Sequence, residues 1–204
     1  EYVEGATLAE WLKATAGALP LPVVMRVMLD VLAGLHAAHE LRDDAGQPLQ
    51  LVHRDVSPQN VLVGADGIAR IVDFGIAKAE QRLTVTRGRE IKGKFGYMPP
   101  EQFLAQPVGR TADVYAAAVV AWEALAGRRL FDADSDAAVM NQVLRGEIPS
   151  LCDVNPQLNV PPALEAALRR GLERKPDARP PSAAAFAEAL EASGAPIAHA
   201  RDVA

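Results

Sequence analysis

The sequence predicts an α+β fold, mostly helical, with one small β-hairpin. Three observations carry that prediction. Apolar residues recur at helical spacing over much of the chain, as in Val24, Val27, Met28, Val31, Leu32 and Leu35. Two short β-type runs, 61–63 and 68–72, flank Gly64-Ala65-Asp66-Gly67, whose Asp-Gly pair signals a hairpin turn. Residues 76–112 hold no sustained period and are rich in Gly, Thr, Arg and Lys, and so long a loop is uncommon in a compact domain unless it carries function.

Taken in order, Glu1-Tyr2-Val3-Glu4-Gly5 has extended character and ends at a glycine. Thr7-Leu8-Ala9-Glu10 reads as a capping box, with a helix continuing through Trp11 and Leu12. Pro22 suits the first turn of a second helix, expected to run to about Leu41 and to be buried along one side. A surface turn follows at 43–48. After the hairpin and the long loop, helices are expected at 113–126, 135–145, 162–173 and 182–193. Gly127, Gly146 and Gly194 stop three of these. The last ten residues are expected to fray.

Composition narrows the function classes. Half of the 204 residues are apolar and 23% are charged, which is ordinary globular usage. Lys+Arg 21 against Asp+Glu 26 gives a net charge of -5, which removes most of the case for nucleic-acid binding. Cys152 is the only cysteine, so no internal disulfide can form; a reducing, cytoplasmic setting is expected. The apolar run Ala116 to Trp122 stops at Glu123, far short of a membrane span, and no membrane contact is expected from this segment. The N-terminus is acidic and does not read as a signal peptide. The first residue is Glu1 rather than Met, so the sequence reads as beginning inside a longer frame.

The chemistry gathers around the hairpin. His53-Arg54-Asp55-Val56-Ser57-Pro58-Gln59-Asn60 precedes it and Asp73-Phe74-Gly75 follows its second strand. Phosphoryl transfer needs a carboxylate to orient the attacking hydroxyl, and oxygen ligands for magnesium beside a triphosphate. Asp55 suits the first task. Asn60 and Asp73 suit the second, because the hairpin folds residue 60 back toward residue 73.

These motifs resemble the eukaryotic-type protein-kinase family in its bacterial, Hanks-type form, from Glu1 to about Leu190. The resemblance implies a kinase-like C-terminal lobe with the N-terminal lobe absent. Residues 1–6 correspond to a hinge remnant and 7–193 to the lobe, with catalytic loop 53–60 and activation segment 73–101; 194–204 are left as a flexible tail. Implied cofactors are ATP and Mg2+, and the implied partner is a protein substrate bearing serine or threonine. Met98-Pro99-Pro100-Glu101 resembles the Ala-Pro-Glu signature, with Arg179 as the partner of Glu101. Asp113 would brace the backbone at His53 and Arg54. Glu1 and Val3 would read the adenine edge, with Leu62 as its floor. Arg54 would bind a phosphorylated residue of the activation segment, for which Thr84 and Thr86 are the candidates. Phe74 and Gly75 complete the metal-binding signature.

The chain departs from the family in two ways. The Gly-rich loop, the strand lysine and its helix glutamate all precede the hinge in the family and are not in this sequence, so negligible activity is expected of these residues alone. The family also has lysine two residues after the catalytic aspartate and threonine after the glycine that precedes the Tyr-Met pair. Here those positions hold Ser57 and Lys94. Hydroxyl and ammonium have exchanged places, and Lys94 is expected to reach back to Asp55 and Ser57 and to supply charge to the γ-phosphate. Two rivals are a non-catalytic kinase-derived binding module and a small-molecule phosphotransferase. Intact Asp55, Asn60 and Asp73 oppose the first; the 98–101 segment with Asp113 and Arg179 opposes the second. His36 with His39, and Asp132, Asp134 and Asp136, lack the further ligands a metal site needs.

Overall fold

Two long helices, α2 (Leu21–His39) and α4 (Thr111–Ala126), organise the chain. The computed structural model describes residues 3–15, 17–74 and 94–203. Every residue of α4 from Ala112 to Leu125 is buried. Its alanines let neighbours approach closely: a Cβ on Gly171 would lie 2.7 Å from the Ala118 methyl. Gly127, at φ 72°, ends the helix in the left-handed region.

Around this pair stand β1 (Gly5–Thr7), α1 (Leu8–Ala14), β2 (Val61–Gly64) and β3 (Ala69–Ile71) on one side. On the other are α3 (Pro100–Phe103), α5 (Asp136–Arg145), α6 (Leu151–Val154), α7 (Pro162–Gly171) and α8 (Ala183–Glu191). Thr7 caps α1, its hydroxyl accepting from Glu10 N–H while the Glu10 carboxylate accepts from Thr7 N–H at 2.8 Å. α2 packs on α8, α4 and β3. Side chains such as Leu32, Leu35, Trp122 and Phe186 are almost fully buried, each contributing about 1.5–3 kcal/mol of transfer free energy.

Four expectations change. The sheet is three-stranded and antiparallel, in order β1-β2-β3, with Thr7 opposite Leu62 and Val61 opposite Ile71. The hairpin therefore gains a third strand at Gly5–Thr7, where Gly5 passes so close that a Cβ would sit 2.2 Å from Val63 O. Within the long irregular stretch, the described part from residue 94 folds into a 3₁₀ turn at Phe95–Tyr97 and into α3. The tail docks rather than frays: Ala195 and Val203 are buried and Ala198 N–H donates to Pro22 O at 2.9 Å. Its few apolar residues find the start of α2 and the hairpin turn. Finally, α2 is long and apolar enough to cross a membrane by composition, with mean hydropathy 1.6. Arg26 and Asp30 interrupt its apolar run in the sequence and pair with each other at 2.7 Å. Its apolar surface is used in the core, where Val24, Met28 and Leu35 are buried.

Candidate active site

Asp113, in the first turn of α4, anchors the site from below. Its Oδ1 accepts from Arg54 N–H at 2.8 Å, and its Oδ2 accepts from His53 N–H at 2.8 Å and meets His39 Nε2 at 2.7 Å. A carboxylate 1% exposed is costly unless its oxygens are bonded, and here both are. Presenting two consecutive N–H groups to one carboxylate bends the backbone: Arg54 has φ 64°. Such a residue costs about 1–3 kcal/mol, which the charge-assisted bonds offset.

His53 ties the loop to the segment after β3. Its Nδ1 accepts from Asp55 N–H at 3.3 Å, so Nε2 carries the proton and donates to Val72 O at 2.9 Å. Its ring lies against Phe74, with centroids 4.5 Å apart. Asn60 closes the loop, its amide donating to Asp55 O at 2.6 Å while its own carbonyl accepts from Val72 N–H at 2.9 Å. Asp73 follows immediately, exposed and at φ 58°. Two of the four described non-glycine residues with positive φ thus lie in this site. That strain had no signal in the sequence.

Lys94 closes over the loop from the other side, its Nζ donating to Asp55 Oδ2 at 3.0 Å. The two share a cavity of about 150 Å³ with Tyr97 and Met98. Ser57 does not join them: its hydroxyl is buried and has no hydrogen-bond partner among the described residues. Below the cavity, Glu101 and Arg179 form a bidentate pair with both N···O distances 2.7 Å. Arg179 also donates to Glu173 O, Thr111 O and Arg174 O and lies 4.8 Å from the Tyr115 ring centre. Burial pushes the Tyr115 hydroxyl well above its ordinary value.

Leu62 and Val3 are half-buried beside the sheet, with Val3 Cγ1 near Gly64. Arg54 is exposed. Glu1, Gly75, Thr84 and Thr86 lie outside the described residues, and the expectations for a phosphate on Arg54 and for Glu1 at the adenine edge lie there with them. Among the described residues no three His, Cys, Asp or Glu side chains cluster as metal ligands. One carboxylate and one amide, Asp73 and Asn60, still suit magnesium, which commonly takes few protein ligands and completes its shell with water and phosphate oxygens. Tyr97, Glu123 and Arg129 were missed by sequence reasoning. The only signal was an acid, Glu123, at the end of an apolar helix.

The protein kinase domain family matches residues 1–191, and the chain belongs to it, in its eukaryotic-type bacterial branch. Tyrosine-protein kinase MasK of Myxococcus xanthus is 45% identical over 194 residues, which is 94% of this chain and 30% of MasK. Serine/threonine-protein kinase PrkC of Bacillus subtilis is 32% identical over 176 residues, 86% of this chain and 26% of PrkC. A crystal structure of the Mycobacterium tuberculosis PknI kinase domain matches with TM-score 0.69 and 25% identity, covering 95% of this chain and 64% of that one. The chain therefore spans about a quarter to a third of these curated relatives and less than two thirds of the PknI kinase domain.

Proposed function

We propose that this chain is the C-terminal lobe of a protein kinase, and that the complete enzyme transfers the γ-phosphoryl group of Mg-ATP to a protein hydroxyl. The observation that carries this reading is Asp55, held in a cavity with Lys94 at 3.0 Å on a loop fixed to Asp113. Asp55 orients the acceptor hydroxyl and takes its proton. Lys94 supplies positive charge where the transferred group gathers negative charge, the task of the lysine that Ser57 replaces. Asn60 and Asp73 would hold magnesium, which neutralises charge on the phosphate oxygens when bound. Val3 and Leu62 flank the adenine side in this reading, and the family resemblance adds the backbone at Glu1. Glu101 and Arg179 support the segment on which the acceptor protein lies. Arg54 takes a phosphate on Thr84 or Thr86.

Serine or threonine is the acceptor we favour, as for the relative PrkC; the name of MasK supports a tyrosine reading, and positions 57 and 94 fit neither pattern cleanly. Phosphoamino-acid analysis of a longer protein carrying this chain separates the two. In that protein Asp55→Asn should lower the transfer rate by about 10²–10⁴-fold. Unchanged turnover would overturn the assignment.

A further inference from the structure

A second cavity, of about 320 Å³, adjoins the Asp55 cavity and shares Tyr97 with it. Pro58 and Gln59 of the catalytic loop border it. Lys13 of α1, with Arg128 and Arg129 just beyond α4, brings three cations to its wall. Both guanidinium groups are pre-oriented on aromatic faces, Arg128 at 5.4 Å from the Trp122 ring centre and Arg129 at 5.1 Å from that of Tyr97.

Among the described residues the one acid of the lining is Glu123, and its carboxylate is already engaged. Oε1 accepts from Leu130 N–H at 3.0 Å; Oε2 accepts from the Tyr97 hydroxyl at 2.6 Å and lies 3.6 Å from Arg129. It is 4% exposed. An incoming cation would find this carboxylate buried, engaged by two hydrogen bonds and paired with the Arg129 guanidinium, whereas Lys13 and Arg128 make no ion pair among the described residues. The wall therefore presents net positive charge with donors to spare.

We propose that this cavity binds an acidic side chain, glutamate or aspartate, of the acceptor protein segment. An extended chain advances about 3.3 Å per residue, so a side chain within about three residues of the hydroxyl at Asp55 reaches past Tyr97 into the cavity. This specificity site deepens the kinase reading and rests on it.

Fluorescence anisotropy with the 204-residue chain tests it, using labelled short serine peptides flanked by Glu, Ala or Lys. The Glu peptide should bind about fivefold tighter than the Lys peptide at low salt, with the gap closing as salt is raised. Arg128→Glu and Lys13→Glu, both at exposed side chains, should reverse the order while circular-dichroism melting confirms the fold. Equal or undetectable binding of the three peptides, or an order that neither variant alters, overturns the proposal. The same peptides are then offered with Mg-ATP to a longer protein carrying this chain. Equal phosphorylation of all three overturns the acidic site and leaves the kinase reading standing. Selective binding of the Glu peptide with phosphorylation of none overturns the kinase reading and, with it, the assignment of the cavity to an acceptor segment.

Discussion

On the kinase reading we propose, Asp55 and Lys94 keep a charge at the site from a different position in the chain. Lysine and hydroxyl stand at each other's usual positions, yet the ammonium still reaches the carboxylate, at 3.0 Å. In a complete enzyme, Lys94→Thr or Ser57→Lys alone should depress turnover, and the pair together should recover much of the loss in a double-mutant cycle. Additive losses would remove the exchange. Arg179 poses a stability question. Arg179→Ala strands a buried carboxylate at Glu101 and should cost about 3–5 kcal/mol in urea unfolding. Arg179→Lys should not restore the fit, because the fork to two carboxylate oxygens is lost. Glu123 bears on pH. Burial holds its carboxyl above the ordinary 4.5, against the opposing bonds from Tyr97, Arg129 and Leu130 N–H. The folded chain thus binds this proton more tightly than the unfolded one. That stabilisation is complete below pH 4.5 and is lost as pH rises through the raised value. Glu123→Gln should flatten this part of the stability–pH curve, measured by thermal denaturation from pH 4 to 8.

Among the elements, the β2–β3 turn and the tail constrain each other. Gly67 has φ +73°, and a Cβ there would lie 1.8 Å from Ala200 O. Gly67→Ala should therefore destabilise the chain by about 1–3 kcal/mol. Ending the chain before Ala200 should remove the collision and leave the cost of the backbone conformation alone, about 1 kcal/mol. Thermal melts of the four combinations read this directly, and equal costs in both backgrounds would mean the tail does not dock. The capping box at Thr7 and the caps at Ser135 and Ser182 needed no such partner. Their donors and acceptors lie within three residues, and that is why helix starts were legible while the docked tail was not.

For the molecule as a whole, the site is a meeting of distant elements. Asp55 and Lys94 are 39 residues apart, and Glu101 and Arg179 are 78 apart. We expect the 204 residues alone to show negligible Mg-ATP-dependent phosphorylation, because they carry no Gly-rich phosphate cradle. Robust transfer by this chain in a radiolabelled ATP assay would refute that expectation. Much of the candidate site was readable beforehand, since 53–60 and 73–75 are contiguous motifs. The cationic cavity was not, since Lys13, Arg128 and Arg129 share no motif and meet only when α1 folds beside the end of α4.

By itself the sequence determined which chemical groups are present and the local order that their near neighbours impose: helix caps, the hairpin turn, the loop bearing Asp55 and Asn60. Tertiary structure alone decided that Ser57 stays out of the expected Lys94–Asp55 pair, that Glu123 is engaged by Tyr97, and that the tail lies against Gly67. Covalent spacing fixes geometry over a few residues. Beyond that range, the burial of α4 and the packing of helices around it select which side chains touch.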